Sequence, residues 1–238
     1  MVSSYSRCYR SGSPEWAIFS YTCSEQHERK LKWYASQLTV LRDAGVLLDV
    51  GCGTGQLLDY WDAPESYQGV DVVPEFIERA RRDHPTRRFQ CAEVLSTCID
   101  RCEIVVMVGL LGLSPTPLEL VDRVCGLARV HLLFDYLPGV VKPDRGGEHL
   151  RWLDTQLVEQ RVLDAGFAIT ETTMLGSSTR AILCTRASCG VCRKDLTNVA
   201  EVVNHKRDVC HRNNATRRAN DHGPPVPGGL GMRAVTAP

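Results

Sequence analysis

Residues 46–55, reading VLLDVGCGTG, constrain the fold of this chain more than any other stretch. The apolar run over 46–50 suits a strand buried on both faces, and it passes directly into glycines at 51, 53 and 55. Glycine reaches backbone conformations closed to other residues and lets a ligand approach the main chain. A strand running into such a loop, and on into a helix expected over 56–61, reads as the opening βα unit of a parallel sheet. Its ligand would then sit at the carboxyl end of the strand.

The remaining periodicity agrees. A helical rhythm through Leu31, Trp33 or Tyr34, Leu38 and Leu41 predicts a helix over 26–41 that packs on the sheet. Strands are expected over 67–73, 88–94, 103–108 and 130–136, with helices between them over 74–83 and 117–128. A further helix over 153–165, stopped by Gly166, precedes two antiparallel strands, 168–174 and 179–185, joined through residues 175–178. This alternation implies an α/β fold with a mostly parallel seven-stranded sheet and helices on both faces.

Bulk properties exclude several classes. Lys plus Arg and Asp plus Glu both number 28, so no global field favours a polyanion or a membrane. The polar residues 1–15 lack the apolar segment of a secretory signal, and the longest apolar run, 104–113, is half the length of a spanning helix. A cytoplasmic protein with no membrane partner is expected. Of 11 cysteines, Cys52, Cys91, Cys102, Cys125 and Cys184 stand singly in apolar stretches and read as buried reduced thiols.

The glycine loop separates three ligand classes. A phosphate loop would continue as Gly-Lys-Ser/Thr, whereas Gly55 is followed by Gln56 and Leu57. A dinucleotide fingerprint needs its third glycine where Gln56 stands. The string from Leu48 to Gly55 instead resembles the first motif of the class I S-adenosylmethionine-dependent methyltransferases, and the resemblance extends over residues 26–186. It implies a Rossmann-like methyltransferase fold with S-adenosyl-L-methionine as cofactor.

Under that resemblance Asp71, ending the second strand, is the carboxylate that accepts both ribose hydroxyls; the alternative is an acid capping the helix that starts at Pro74. Glu93 matches the acid that receives the adenine amino group. Asp49 matches the acid that orients the loop and the donor's amino end, although capping a nearby amide is an equally physical role. The implied cofactor-binding set is Asp49, Gly51, Cys52, Gly53, Gly55, Asp71, Val72, Glu93 and Val108.

The acceptor is less constrained, because direct displacement at a sulfonium needs alignment and water exclusion more than a dedicated base. The Asn/Asp-Pro-Pro-Tyr/Phe signature of DNA amino methylation is replaced by GLLGLSP at 109–115, and the Pro-Cys nucleophile of cytosine methylation is absent. A small-molecule acceptor leads, with RNA or protein as the alternative. Asp135, Tyr136, Glu148, His149 and Trp152 follow the fifth strand on the acceptor side, and Tyr136 and His149 are the candidate catalytic residues. His149 suits a general base by its ordinary pKa, the competing reading being a solvated loop histidine.

Past residue 186 the composition changes. Cys189, Cys192, His205 and Cys210 have the spacing of a ββα zinc finger with Cys-Cys-His-Cys ligands, His211 being an alternative fourth ligand; Leu196 and Val202 occupy the supporting apolar positions. Unligated thiols in a tail are the competing reading. The base-facing positions Asn198, Glu201 and Asn204 lack arginine, so docking on protein fits better than a DNA groove, with RNA or protein recruitment through the finger kept open. The expected organisation is an N-terminal segment 1–25, a methyltransferase domain 26–186, a zinc-finger-like appendage 187–211 that binds Zn2+, and a disordered tail 212–238. A non-catalytic, zinc-dependent interaction protein is the remaining alternative.

Overall fold

The computed structural model describes residues 10–13, 24–62, 65–139 and 151–186. Helix α1 (Ser24–Val40) leads into β1 (Leu47–Val50), followed by β2 (Tyr67–Asp71), α2 (Pro74–Asp83), β3 (Arg88–Cys91), β4 (Cys102–Met107), α3 (Pro117–Leu127) and β5 (Ala128–Pro138). The short β6 (Trp152–Leu153), α4 (Thr155–Asp164), β7 (Phe167–Leu175) and β8 (Thr179–Arg186) complete the described chain. No helix among the described residues is long and apolar enough to cross a membrane.

The strands lie in the order β3-β2-β1-β4-β5-β8-β7, with β6 paired to the outer end of β5. β3, β2, β1, β4 and β5 run parallel, and β8 runs antiparallel to both β5 and β7. The expected seven-stranded, mostly parallel sheet is therefore present, with β6 as an addition. β1 is hydrogen-bonded on both sides and all four of its residues are buried, which is why its sequence is a continuous apolar run interrupted only by Asp49.

Two cores cover the faces of the sheet. On one, Leu31, Tyr34 and Leu38 of α1 and Ile77 of α2 pack against Leu47, Ile104, Val106 and Leu133. On the other, Leu120, Val121 and Val124 of α3 and Val158 and Val162 of α4 pack against Leu48, Val105, Met107 and Phe134. The two-residue period of a strand decides which core each side chain joins.

A buried polar network fixes α1 on its face. Asp135 of β5 accepts from Lys30 Nζ at 2.7 Å, from Tyr34 Oη at 2.8 Å and from the backbone amide of Gly109 at 2.7 Å. Lys30 and Asp135 are only 7% and 3% exposed, so the pair is enclosed by protein. Charge here is tolerable because both carboxylate oxygens have donors.

Three expectations are corrected. The helix expected over 56–61 is a single 3-10 turn, Gln56–Asp59. The amides of Leu58 and Tyr60 donate three residues back, to Gly55 O at 2.9 Å and Leu57 O at 3.2 Å, so the turn closes in the tighter pattern. The helix expected from 153 starts at Thr155, because Asp154 caps it by accepting from the amides of Gln156 and Leu157 at 2.7 and 3.2 Å, leaving Trp152 and Leu153 to pair with β5. Cys91 is exposed where a buried thiol was expected, because it ends the edge strand β3; Cys52, Cys102, Cys125 and Cys184 are buried and unpaired.

Replacing Asp135 with Ala should destabilise the protein by roughly 3–5 kcal/mol in urea titration, since it leaves the Lys30 charge enclosed without its carboxylate. Lys30→Met combined with Asp135→Leu should cost less than Asp135→Ala alone.

Candidate active site

The glycine loop turns at the carboxyl end of β1 through three left-handed residues, Gly51 (φ 73°), Gly53 (φ 55°) and Gly55 (φ 85°). The amides of Gly51 and Cys52 donate to Val70 O at 2.8 and 3.1 Å, stitching the loop to β2. A Cβ on Gly51 would come within 2.8 Å of the Leu110 side chain, so close packing as well as backbone conformation requires glycine. Asp71, the last residue of β2, accepts from the amides of Gly53 at 3.0 Å and Val73 at 2.9 Å, one on each oxygen. Burial raises its pKa, and hydrogen bonds from the Val73, Gly53 and Val72 backbones counter that shift. Each oxygen keeps acceptor capacity for a further donor.

The loop forms one wall of a cleft whose empty space, open mouth included, is about 890 Å³. Gly51, Cys52, Gly53 and Asp71 line it, with Val72, Val73 and Phe76 beyond β2 and Val108, Gly109, Leu110 and Leu113 beyond β4. Asp49 lies at its base, 2% exposed, with one oxygen accepting from Tyr67 Oη at 2.7 Å and the other, Oδ1, without a hydrogen-bond partner among the described residues. Burial lifts its pKa to about 7; the Tyr67 hydrogen bond lowers it and the charge of Asp71 raises it. An unpartnered buried carboxylate oxygen is costly and suits a donor, or a cation, supplied by a ligand.

These features fit S-adenosylmethionine. Asp71 offers acceptors for vicinal hydroxyls, Asp49 an acceptor for an ammonium, and the glycine loop a close approach of main chain to ligand.

The structure places Asp49, Gly51, Cys52, Gly53, Asp71, Val72 and Val108 on the cleft, as the sequence suggested. Gly55 shapes the loop from behind, where a Cβ would meet the His84 ring at 2.9 Å. Glu93 is exposed just past β3 and accepts from the amide of Leu95 at 3.2 Å, near enough to Asp71 for its charge to raise that carboxyl's pKa. Tyr136 departs from expectation. It is one residue beyond Asp135 and so faces the opposite core, where its hydroxyl donates to Glu159 of α4 at 3.3 Å. Asp135 itself is engaged by α1, and Trp152 pairs through β6 with the end of β5. Glu148, His149, Cys189, Cys192, His205 and Cys210 lie outside the described residues.

The sequence reading missed His27 and Leu31, which α1 brings to the cleft. The signal was present: His27, Leu31, Tyr34 and Leu38 follow one helical stripe, and a histidine on an apolar stripe points inward with it.

Residues 48–129 match the family described as a methyltransferase domain. Magnesium protoporphyrin IX methyltransferase from Synechocystis PCC 6803, solved with bound SAM, superposes with a TM-score of 0.57 at 17% identity, over 68% of this chain and 80% of that one. A TehB-like SAM-dependent methyltransferase from Corynebacterium glutamicum gives a TM-score of 0.55 at 14% identity, over 77% and 98%. The [4+2]-cyclase SpnF gives 0.55 at 16% identity, over 66% and 80%. No curated protein sequence matches significantly. Residues 48–129 are thus similar to a methyltransferase domain, and the described chain has the fold shared by these S-adenosylmethionine-dependent methyltransferases.

The raised pKa of Asp49 makes a signed prediction. Between about pH 4 and pH 7 the folded protein holds a proton on Asp49 that the unfolded chain has lost, so this residue's contribution to stability falls as pH rises. Asp49→Asn should therefore be more stable than the parent by roughly 1–3 kcal/mol at pH 8, with the difference vanishing near pH 4, measured by urea unfolding across pH. Gly51→Ala should lower the melting temperature and abolish ligand binding at the cleft, read by thermal denaturation with and without S-adenosylhomocysteine.

Proposed function

We propose that this chain transfers a methyl group from S-adenosylmethionine to a small-molecule acceptor by direct displacement. The observation that carries the reading is the pairing of two differently prepared acids across one glycine loop. Asp71 is oriented by two amides, while Asp49 holds a buried oxygen that lacks a donor among the described residues. The donor supplies an electrophilic methyl group and a thioether leaving group. The chain contributes binding, orientation and exclusion of water.

In this reading Asp71 grips the ribose, Asp49 faces the amino end, and Gly51 and Gly53 admit the ligand to the main chain. Val72, Val73 and Phe76 provide an apolar seat beyond β2 for the base. Support for a small acceptor comes from the largely apolar wall of Leu31, Leu110 and Leu113, from the zero net charge, and from the absence of both base-methylation motifs.

We also propose that Cys189, Cys192, His205 and Cys210 bind one Zn2+, a reading supported by their spacing. That element is the observation favouring a second acceptor class, an RNA or protein recruited by the C-terminal segment. Purified protein should contain about one zinc per chain, and a Cys192→Ser variant retaining its full zinc would refute this ligand set.

The function is tested by incubating the full chain with S-adenosylmethionine labelled in its methyl group and, separately, a metabolite pool, RNA and protein extract. Label is expected in the metabolite fraction, together with formation of S-adenosylhomocysteine. Label confined to RNA or protein would replace the acceptor class, and donor binding without any transfer would favour another reaction on this fold, as the cyclase neighbour illustrates. Once an acceptor is found, Asp71→Ala should raise the KM for the donor by about tenfold or more, through loss of charge-assisted hydrogen bonds.

A further inference from the structure

We infer that His27 is the acceptor-binding residue of the cleft, its imidazole receiving a hydrogen bond, and then the proton, from a hydroxyl or amine of the methyl acceptor. This rests on the donor-site reading above.

The sheet order gives the direction. The donor-binding acids lie on β1 and β2, and the next strand on the far side of β1 is β4, followed by β5. Helix α1 covers that far side: its Leu31 and Tyr34 pack in the core that includes Ile104 and Val106 of β4 and Leu133 of β5. Lys30 and Tyr34 are bonded to Asp135 of β5, which also holds the amide of Gly109 just beyond β4. His27 lies one turn before Lys30 and Leu31 on the same buried stripe, and it lines the cleft together with Leu31, Gly109, Leu110 and Leu113. The imidazole is thus on the side of the cleft remote from Asp71, where the acceptor must enter.

Its electrical state fits that position. Burial, reinforced by the charge of Lys30 and opposed by Glu28, lowers the pKa of His27 to about 4, so the ring is neutral near pH 7. A neutral ring beside a sulfonium avoids repulsion between cations and presents a nitrogen lone pair. In the transfer, the lone pair on the acceptor's oxygen or nitrogen forms the new bond to the methyl carbon, and the carbon–sulfur bond breaks with its pair kept by sulfur. The acceptor's proton passes to a ring nitrogen of His27 and from there to water. One positive charge is lost at sulfur as one appears on the imidazole, so the charge enclosed by the cleft is conserved. Leu31, Leu110 and Leu113 select an acceptor whose hydroxyl or amine sits on an apolar body.

The test needs no acceptor. Sinefungin is an S-adenosylhomocysteine analogue whose sulfur is replaced by a carbon bearing an amine, which projects where the transferable methyl would stand. Calorimetry at pH 7.5 on the full chain should show the analogue binding more tightly than S-adenosylhomocysteine. In His27→Leu that preference should fall about tenfold while S-adenosylhomocysteine affinity stays within about twofold, and His27→Gln should restore part of it. An unchanged preference in His27→Leu, or equal loss of both ligands in both variants, overturns the assignment alone. Failure of the parent protein to bind S-adenosylhomocysteine overturns the donor-site reading and this assignment with it.

Discussion

The carboxylate of Asp135 joins parts of the molecule that nothing local in the chain would bring together. It sits on β5, yet its donors come from α1, more than a hundred residues earlier, and from the loop after β4. Without it the amide of Gly109 would lose its side-chain acceptor beside the cleft, and α1 would lose its buried polar anchor and lie on the sheet mainly through apolar contacts, which are strong but weakly directional. The network therefore sets the rotation of α1 about its axis. That rotation turns His27 and Leu31, rather than Glu28 and Lys32, toward the cleft.

A parallel sheet creates the site in a general way, by gathering the carboxyl ends of its strands along one edge. Three aspartates occupy that edge on β1, β2 and β5, and they are prepared for different tasks. Asp135 is fully engaged and structural. Asp71 is oriented by amides and keeps capacity for a ligand. Asp49 is buried with an oxygen that has no donor among the described residues, and burial raises its pKa. A ligand carrying positive charge and hydroxyl donors would satisfy the last two together and turn the unmet polar groups of the free protein into affinity.

How much of this was legible in the sequence follows from the range of each interaction. The strand, glycine loop and acid of the first two units are local patterns, and residues 46–55, Asp71 and the helix at Pro74 stand where periodicity placed them. The α-helix expected after Gly55 is absent although a loop followed by Gln-Leu-Leu resembles a helix start; the amides there bond three residues back rather than four. Tyr136 was assigned by proximity along the chain, and a one-residue step in a strand reverses the face. His27 was overlooked for the opposite reason: its partners in the cleft are distant in sequence, and only its place on the buried stripe of α1 betrayed it.

The central claim is that the cleft between the glycine loop and α1 is a methyl-donor site. Isothermal titration of the full chain with S-adenosylmethionine addresses it most directly. The account predicts saturable binding of one molecule per chain, displaced competitively by S-adenosylhomocysteine. Absence of detectable binding up to millimolar donor would contradict it.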